Sequence, residues 1–219
     1  MVIAIDGPAG SGKSTTAKFV AEKLGFIHIN TGAMYRGIAL KCIQGDINME
    51  NSSQLNHLLT NTKFKFAKEG GSTLVMDGVD ISAEITSAQV TDFVSYVSAI
   101  SAVREKLLQY QRDMAEGIDV VLEGRDIGTV VFPNAEYKFF LVADIHERAM
   151  RRKKEMDAKG EVVSLEELTS DMEKRDRKDS TRRHSPLKKA EDAVEIDTTG
   201  ISIEEQVNRI VEIVNKTIK

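Results

Sequence analysis

After a short apolar run the chain reads Gly7-Pro8-Ala9-Gly10-Ser11-Gly12-Lys13-Ser14, the pattern GxxxxGK[ST], followed by Thr15 and a stretch with helical spacing. The chemistry requires this spacing. Glycines let backbone N–H groups curl around a phosphate without Cβ clashes. The helix that follows aims its N-terminal dipole and free N–H groups at the anion. Lys13 can reach the β- and γ-phosphates of a nucleotide as a mobile positive charge, and Ser14 offers a hydroxyl to Mg²⁺. The predicted nucleotide-binding set is therefore Gly7, Pro8, Ala9, Gly10, Ser11, Gly12, Lys13, Ser14 and Thr15.

Such a loop alone names no function, because GTPases, motor ATPases and several kinases carry it. An acceptor site must decide. Thr31-Gly32-Ala33-Met34-Tyr35-Arg36 lies at the head of a predicted helix, with Arg36 about one turn in. A hydroxyl, free N–H groups and a guanidinium could form a second anion site. Read alone, the segment fits a capped helix with a solvated arginine better. Glu123-Gly124-Arg125-Asp126-Ile127-Gly128-Thr129-Val130-Val131-Phe132-Pro133 is more specific: two glycines frame an Arg-Asp pair at the end of a strand. Glu123 stands where such folds often hold a carboxylate near Mg²⁺. Arg175, Asp179 and Arg182 are spaced i, i+4 and i+7, which predicts one shared helical face.

These groups need elements to position them. Short, uniformly apolar runs at 2–5, 26–29, 119–122, 137–142 and 193–196 predict buried strands, and helical spacing lies between them. Helices are expected over 13–24 with Gly25 as C-cap, 31–44 with Thr31 as N-cap, 51–61, from about 91 to 116, 145–158 behind Asp144, 165–181, and after Ser202. Val103, Leu107, Leu108 and Met114 form the expected inner face of the 91–116 helix. Lys63 to Ala67 and Thr73 to Met76, joined by Glu69-Gly70-Gly71-Ser72, predict an antiparallel hairpin with one wet face; Lys159-Gly160 predicts a turn. Strands alternating with helices predict an α/β fold: a five-stranded parallel sheet with helices on both faces. Ligands of such sheets bind beyond the carboxyl ends of the strands, where the unusual residues lie.

Of the 219 residues, 41% are hydrophobic and 29% charged, as in ordinary globular proteins. A net charge of -4 weighs against a protein that coats nucleic acid. His146 to Lys189 carries 14 Lys+Arg against 10 Asp+Glu, a basic zone in an acidic chain that suits a small anion. No aromatic residue interleaves with its arginines, so RNA bases have no stacking platform. For Lys153, Lys154, Lys159, Lys188 and Lys189, solvated helix faces are the better reading. Cys42 is the single cysteine, which points to a reducing cytoplasm without a disulfide. His28, His57, His146 and His184 lack metal-ligand spacing. No apolar run of about 18 residues predicts a membrane span, and Asp6 lies too early for a signal peptide. A guanine-reading switch would carry [NT]-K-x-D, which is absent; the nearest segments are Asn215-Lys216-Thr217 and Thr62-Lys63-Phe64-Lys65.

IDGPAGSGKSTTAK, NTGAMYR, LEGRDIGTVVFP and the run Arg175-Asp176-Arg177, Asp179, Arg182 together resemble the bacterial cytidylate kinases, in order and over nearly the whole chain. The resemblance implies transfer of the γ-phosphoryl group of ATP to CMP or dCMP, with Mg²⁺, by a cytoplasmic monomer of pyrimidine nucleotide metabolism. It implies a core (1–30, 91–144 and 190–219), a monophosphate-binding region (31–90) with a β insert at about 62–90, and a helical lid (145–189). By the same likeness Thr31, Arg36, Arg104 and Arg125 would hold the CMP phosphate and sugar region. Ser95 and Asp126 would contact cytosine or help place it; Asp179 and Arg182 would engage the ribose. Lys13, Arg125 and Arg175 would be catalytic, and Ser14 would meet Mg²⁺ with Glu123 acting through water. Thr31 stands where relatives often carry serine, and both present a hydroxyl. The residues alone do not name the base: UMP or a small alcohol stays open as acceptor.

Overall fold

A computed structural model describes residues 1–66, 73–158 and 160–217. Five parallel strands, β1 (Val2–Asp6), β2 (Ile27–Asn30), β6 (Val120–Gly124), β7 (Tyr137–Val142) and β8 (Val194–Asp197), form the main sheet in the order β2-β6-β1-β7-β8. β1 is its centre, pairing Ile5 with Glu123 and Asp6 with Gly124 on one side and Ile5 with Phe139 on the other. Alternation of side chains along β1 sends Ile3 and Ile5 to one face and Ala4 to the other. The first face packs Phe139, Leu141 and Ile196 against helices α1 (Lys13–Leu24) and α8 (Ile203–Thr217), through Ala17, Val20, Val207, Ile210 and Val214. The second face packs Ile29 and Leu122 beneath Ala115 and a π-turn, Ile127–Val131.

A second apolar core stands beside the sheet. It joins α2 (Thr31–Gln44), α3 (Ser52–Thr60), α4 (Ala88–Val97) and the first half of α5 (Ser101–Ala115) to an antiparallel sheet of β3 (Phe64–Phe66), β4 (Leu74–Met76) and β5 (Val79–Asp80). The third small core lies between α6 (Ile145–Asp157) and α7 (Leu165–Thr181), where Ala149, Leu168 and Met172 meet Ala9 of the phosphate loop.

The five main strands and the helices at 13–24, 31–44 and 165–181 lie where the sequence places them, within a residue or so at strand ends. Gly25 caps α1 with φ 70°, and Asp144 caps α6 by accepting from the N–H groups of His146 and Glu147. Five expectations change. The hairpin gains a third strand, because Asp77 and Gly78 turn the chain back on itself with positive φ; its joining residues 69–72, with Ala67, lie outside the described residues, as does Lys159 of the predicted 159–160 turn. The single helix expected at 91–116 is two, α4 and α5, broken at Ser98–Ile100. On α5, Val103 and Leu107 are fully buried, whereas Leu108 and Met114 are half-buried beside buried Arg104 and Gln111. The cap of α2 is Asn30, whose Oδ1 accepts from Ala33 N at 2.9 Å, not Thr31. Strand β2 passes straight into α2, so Asn30 takes the capping position and Thr31 Oγ1 donates to the Glu123 carbonyl at 2.7 Å instead. Finally, Arg182 lies just past the end of α7, so only Arg175 and Asp179 share its helical face.

Gly37 sits mid-helix in α2, where glycine costs about 0.5–1 kcal/mol relative to alanine. A Cβ there would lie 2.9 Å from Phe64 Cε1 and 3.1 Å from Ile81 Cδ1, so the small sheet seats directly on the bare backbone. Gly37→Leu should therefore lower stability by about 1–3 kcal/mol through overpacking. Urea denaturation is the measurement, and an unchanged midpoint would mean that the sheet does not seat on α2.

Candidate active site

The phosphate loop runs from the carboxyl end of central β1 into α1. Gly7 passes so close to β7 that a Cβ would lie 2.3 Å from the Leu141 carbonyl oxygen, so no side chain fits. Gly12 is the N-cap of α1 and makes no side-chain capping bond, which leaves the first N–H groups of the helix facing the loop. Lys13 is buried and folds back onto the Pro8 carbonyl at 3.1 Å. Burial, then the nearby Arg125, pushes its amine down to about 7, with Glu123 acting in the opposite direction. Ser14 Oγ donates to Glu123 Oε2 at 2.8 Å, and Glu123 Oε1 is buried without a hydrogen-bond partner.

The Gly124-Arg125-Asp126 turn leaves β6, the strand beside β1. Asp6, buried at the end of β1, accepts the N–H groups of Ile127 at 2.9 Å and Gly128 at 2.8 Å. Burial nevertheless lifts its carboxyl to about 6, against those two bonds. Arg112 of α5 donates to the carbonyls of Val131 and Val130 at the far side of the π-turn. The turn is thus gripped at its start by Asp6 and at its end by Arg112.

Every predicted acceptor residue lines one cleft at this edge: Thr31, Arg36, Ser95, Arg104, Arg125, Asp126, Asp179 and Arg182, together with Arg175. Arg36 is held by Thr91 Oγ1 at 2.8 Å and the Ile85 carbonyl at 3.1 Å. Arg125 pairs with Asp179 at 2.9 Å; burial raises that carboxyl, but Arg125, Arg175 and Arg182 together outweigh it and hold Asp179 below the usual range. Arg104 pairs with Asp126 and donates to the Ser98 carbonyl at 3.1 Å. Arg182 approaches the other Asp126 oxygen at 3.6 Å. Arg175 has its Nε buried without a hydrogen-bond partner; burial and Arg125 push its guanidinium down to about 10.

Some participants were not singled out in the sequence. Tyr35 lies under Arg104, whose guanidinium carbon is 5.4 Å from the ring centre, within cation–π range. Burial lifts its phenol to about 12. Asp6 left a signal, since a carboxylate ending an apolar strand must be buried. Tyr35 left none, because nothing local says which residue will stack above it.

Lys13, Arg36, Arg125, Arg152 and Arg175 thus converge with Glu123, Glu155 and Asp179 as their nearby carboxylates. Such a site is short of negative charge and is built to receive anions. Lys13 supplies a test. Free protein at pH 8 holds a largely neutral amine, whereas polyphosphate favours the charged one. Binding of inorganic triphosphate at pH 8 should therefore take up protons, and affinity should fall as pH rises from 7 to 9. Calorimetry in buffers of different ionisation heat reads this directly; no proton uptake, or equal uptake by Lys13→Ala, would contradict it.

The comparisons agree with this geometry. The family model described as cytidylate kinase matches residues 3–216. The chain is 48% identical over 218 residues to a cytidylate kinase of Pediococcus pentosaceus, covering 99% of this chain and 96% of that protein. It is 50% identical over 214 residues to a cytidylate kinase of Desulforamulus reducens, covering 98% and 96%. Among solved structures, an uncharacterized protein from Eubacterium ventriosum shares the fold, with a TM-score of 0.54 at 14% identity over 98% of both chains. With its family's sequence pattern spanning almost every residue and its phosphate loop facing an arginine-lined cleft, the chain belongs to the cytidylate kinase family.

Proposed function

We propose that the protein transfers the γ-phosphoryl group of ATP to CMP or dCMP, giving ADP and CDP or dCDP. Support comes above all from the unbalanced cation cluster between the phosphate loop and the acceptor cleft. In this reading residues 7–15 hold the donor, and Arg36 and Arg125 hold the acceptor phosphate. Phosphoryl transfer asks for in-line alignment and neutralisation of spread charge rather than covalent chemistry. The acceptor is already an anionic oxygen, so no strong general base is needed. Lys13 and Arg175 lie on either side of the transfer path, and Arg125 spans the two halves. Arginine suits this role because its fork binds phosphate oxygens in pairs.

Arg104, Asp126 and Ser95 read the cytosine. The two charged partners offer donors and acceptors at fixed positions, held by Ser98, Arg182 and Tyr35. Asp179 and Arg182 engage the ribose. Ser14 and Glu123 fit Mg²⁺: both are hard oxygen donors beside the phosphate loop, and Glu123 Oε1 lacks a partner. Ser14 would hold the ion directly and Glu123 through water, and the ion would offset charge on the donor phosphates.

Residues 145–189 act as a lid that excludes water before transfer. Their own small core between α6 and α7 lets them move as a unit. The core is 1–30, 91–144 and 190–219; the acceptor region, 31–90, shares its apolar interior with α4 and α5. The protein works as a cytoplasmic monomer on these two small molecules, without nucleic acid or membrane. Among the described residues no helix is long and apolar enough to cross a membrane.

A coupled ADP-release assay tests the reaction, with ATP, Mg²⁺ and CMP, dCMP, UMP, AMP, GMP or shikimate supplied separately. Turnover should be rapid on CMP and dCMP and should drop by at least about 100-fold in Lys13→Ala, as expected when a transition-state charge is removed. Turnover confined to another acceptor would overturn the cytosine assignment of Ser95 and Asp126. Hydrogen exchange tests the lid: protection of 145–189 should rise with both nucleotides bound, and equal protection in free and bound protein would exclude closure.

A further inference from the structure

Four consecutive carbonyl oxygens of the phosphate loop are each held by a different side chain. Lys13 Nζ donates to the Pro8 carbonyl at 3.1 Å, Arg148 Nη1 to Ala9 at 3.1 Å, Arg151 Nη1 to Gly10 at 3.4 Å, and Thr198 Oγ1 to Ser11 at 3.0 Å. In a trans peptide the C=O and N–H point to opposite sides. Carbonyls of Ala9 and Ser11 drawn outward therefore turn the N–H groups of Gly10 and Gly12 inward, where phosphate oxygens must be met, while the Ser11 N–H rests on the Pro8 carbonyl at 3.4 Å.

Lys13 belongs to the loop and leaves Pro8 when it engages phosphate. The other three donors come from elsewhere: Arg148 and Arg151 from α6, and Thr198 from the residue after β8. Thr198 is wholly buried. Its hydroxyl proton is shared between the carbonyls of Ser11 and Val142, both at 3.0 Å, and its oxygen accepts from Arg151 Nη1 at 3.2 Å. Arg151 Nη2 donates to the Thr198 carbonyl at 2.6 Å, and Glu147 holds Arg151 Nε at 3.1 Å. A Cβ on Gly12 would approach Arg151 Nη1 at 3.7 Å and Ile203 at the same distance, which puts Arg151 on the α8 side of the loop. Thr198 and Arg151 thus brace each other and the loop.

We infer that Thr198 and Arg151 are positioning residues of the donor-phosphate site, holding the Ser11 and Gly10 carbonyls outward so that the loop presents its N–H groups to the phosphates. This gives α6 a hand in the shape of the loop as well as in closing over it. The inference rests on the donor reading of residues 7–15.

The test is titration calorimetry with ADP and Mg²⁺, joined to steady-state kinetics, on the full chain and on Thr198→Val, Thr198→Ser, Arg151→Gln and Lys13→Ala. Thr198→Val keeps the shape and removes the hydroxyl. It should weaken ADP binding and raise KM for ATP by about 3- to 10-fold, the effect of one hydrogen bond. KM for CMP should stay within about twofold, the scatter allowed for an untouched site. Thr198→Ser should restore ADP binding. Arg151→Gln, at a partly exposed position, carries the same expectation should the buried change prevent folding. Unchanged ADP affinity in both Thr198→Val and Arg151→Gln, or equal rises in both KM values, would overturn the positioning role while leaving the donor site intact. If Lys13→Ala binds ADP as well as the parent, the donor reading falls and the inference falls with it.

Discussion

The buried carboxylate of Asp6 ties the two halves of the site together. It ends the central strand one residue before the phosphate loop and accepts two successive N–H groups of the turn that carries Arg125 and Asp126. A rigid strand thereby sets the distance between the phosphate loop and the turn that lines the arginine-rich cleft. Burial lifts its carboxyl to about 6, so the charged form is held there at a cost in stability. The sign follows from the shift. Relative to an unfolded aspartate, folded protein holds this proton more tightly, so the contribution of Asp6 to stability falls as pH rises from about 4 to about 6. At neutral pH the fold carries that cost, and the paired N–H bonds give it a purpose: register between the phosphate loop and the turn of the cleft.

The same conflict between stability and function recurs across the cleft. Burial lowers the pKa of Lys13, Arg36 and Arg175, and repulsion from neighbouring arginines, Arg125 for all three and Arg152 for the two arginines, lowers them further. Each is anchored by the scaffold in part only: Arg36 by Thr91 and Ile85, Lys13 by a single carbonyl, Arg175 with Nε unpaired. In the proposed function, phosphate oxygens would supply the missing partners. Electrostatic preorganisation of this kind puts the cost of gathering charge into folding, so that it is not met again during transfer. On the side proposed for cytosine the arrangement differs. There Asp126 sits between two arginines, one oxygen facing Arg104 and the other Arg182, which fixes the positions of donors and acceptors for the ring proposed to bind there.

The path of α5 links these regions. Its first half packs Val103 and Leu107 into the acceptor-side core, while Ala115 reaches the sheet. Between them Arg104 faces the cleft and Arg112 grips the π-turn. The break at Ser98–Ile100 allows this: it redirects the chain after α4 and leaves the Ser98 carbonyl free to accept from Arg104. Helical periodicity alone does not reveal such a break, because Val90, Val94, Val97, Val103 and Leu107 are all apolar and all face one core. The same locality explains the misplaced cap at Thr31, since which of Asn30 and Thr31 caps α2 depends on where β2 ends.

The sequence by itself determined the alternation of strands and helices, the parallel sheet, the phosphate loop and the family, because these rest on local spacing: apolar runs, glycine punctuation and a motif read in order. The resemblance carried by NTGAMYR and LEGRDIGTVVFP also pointed to residues that line one cleft. Only the tertiary structure decided their partners. That Asp6 would grip Ile127 and Gly128, that Tyr35 would lie under Arg104, and that Thr198 would reach Ser11 are contacts across 121, 69 and 187 residues. Such pairings depend on how strands are ordered in the sheet and on which side each loop crosses, and no local pattern encodes either.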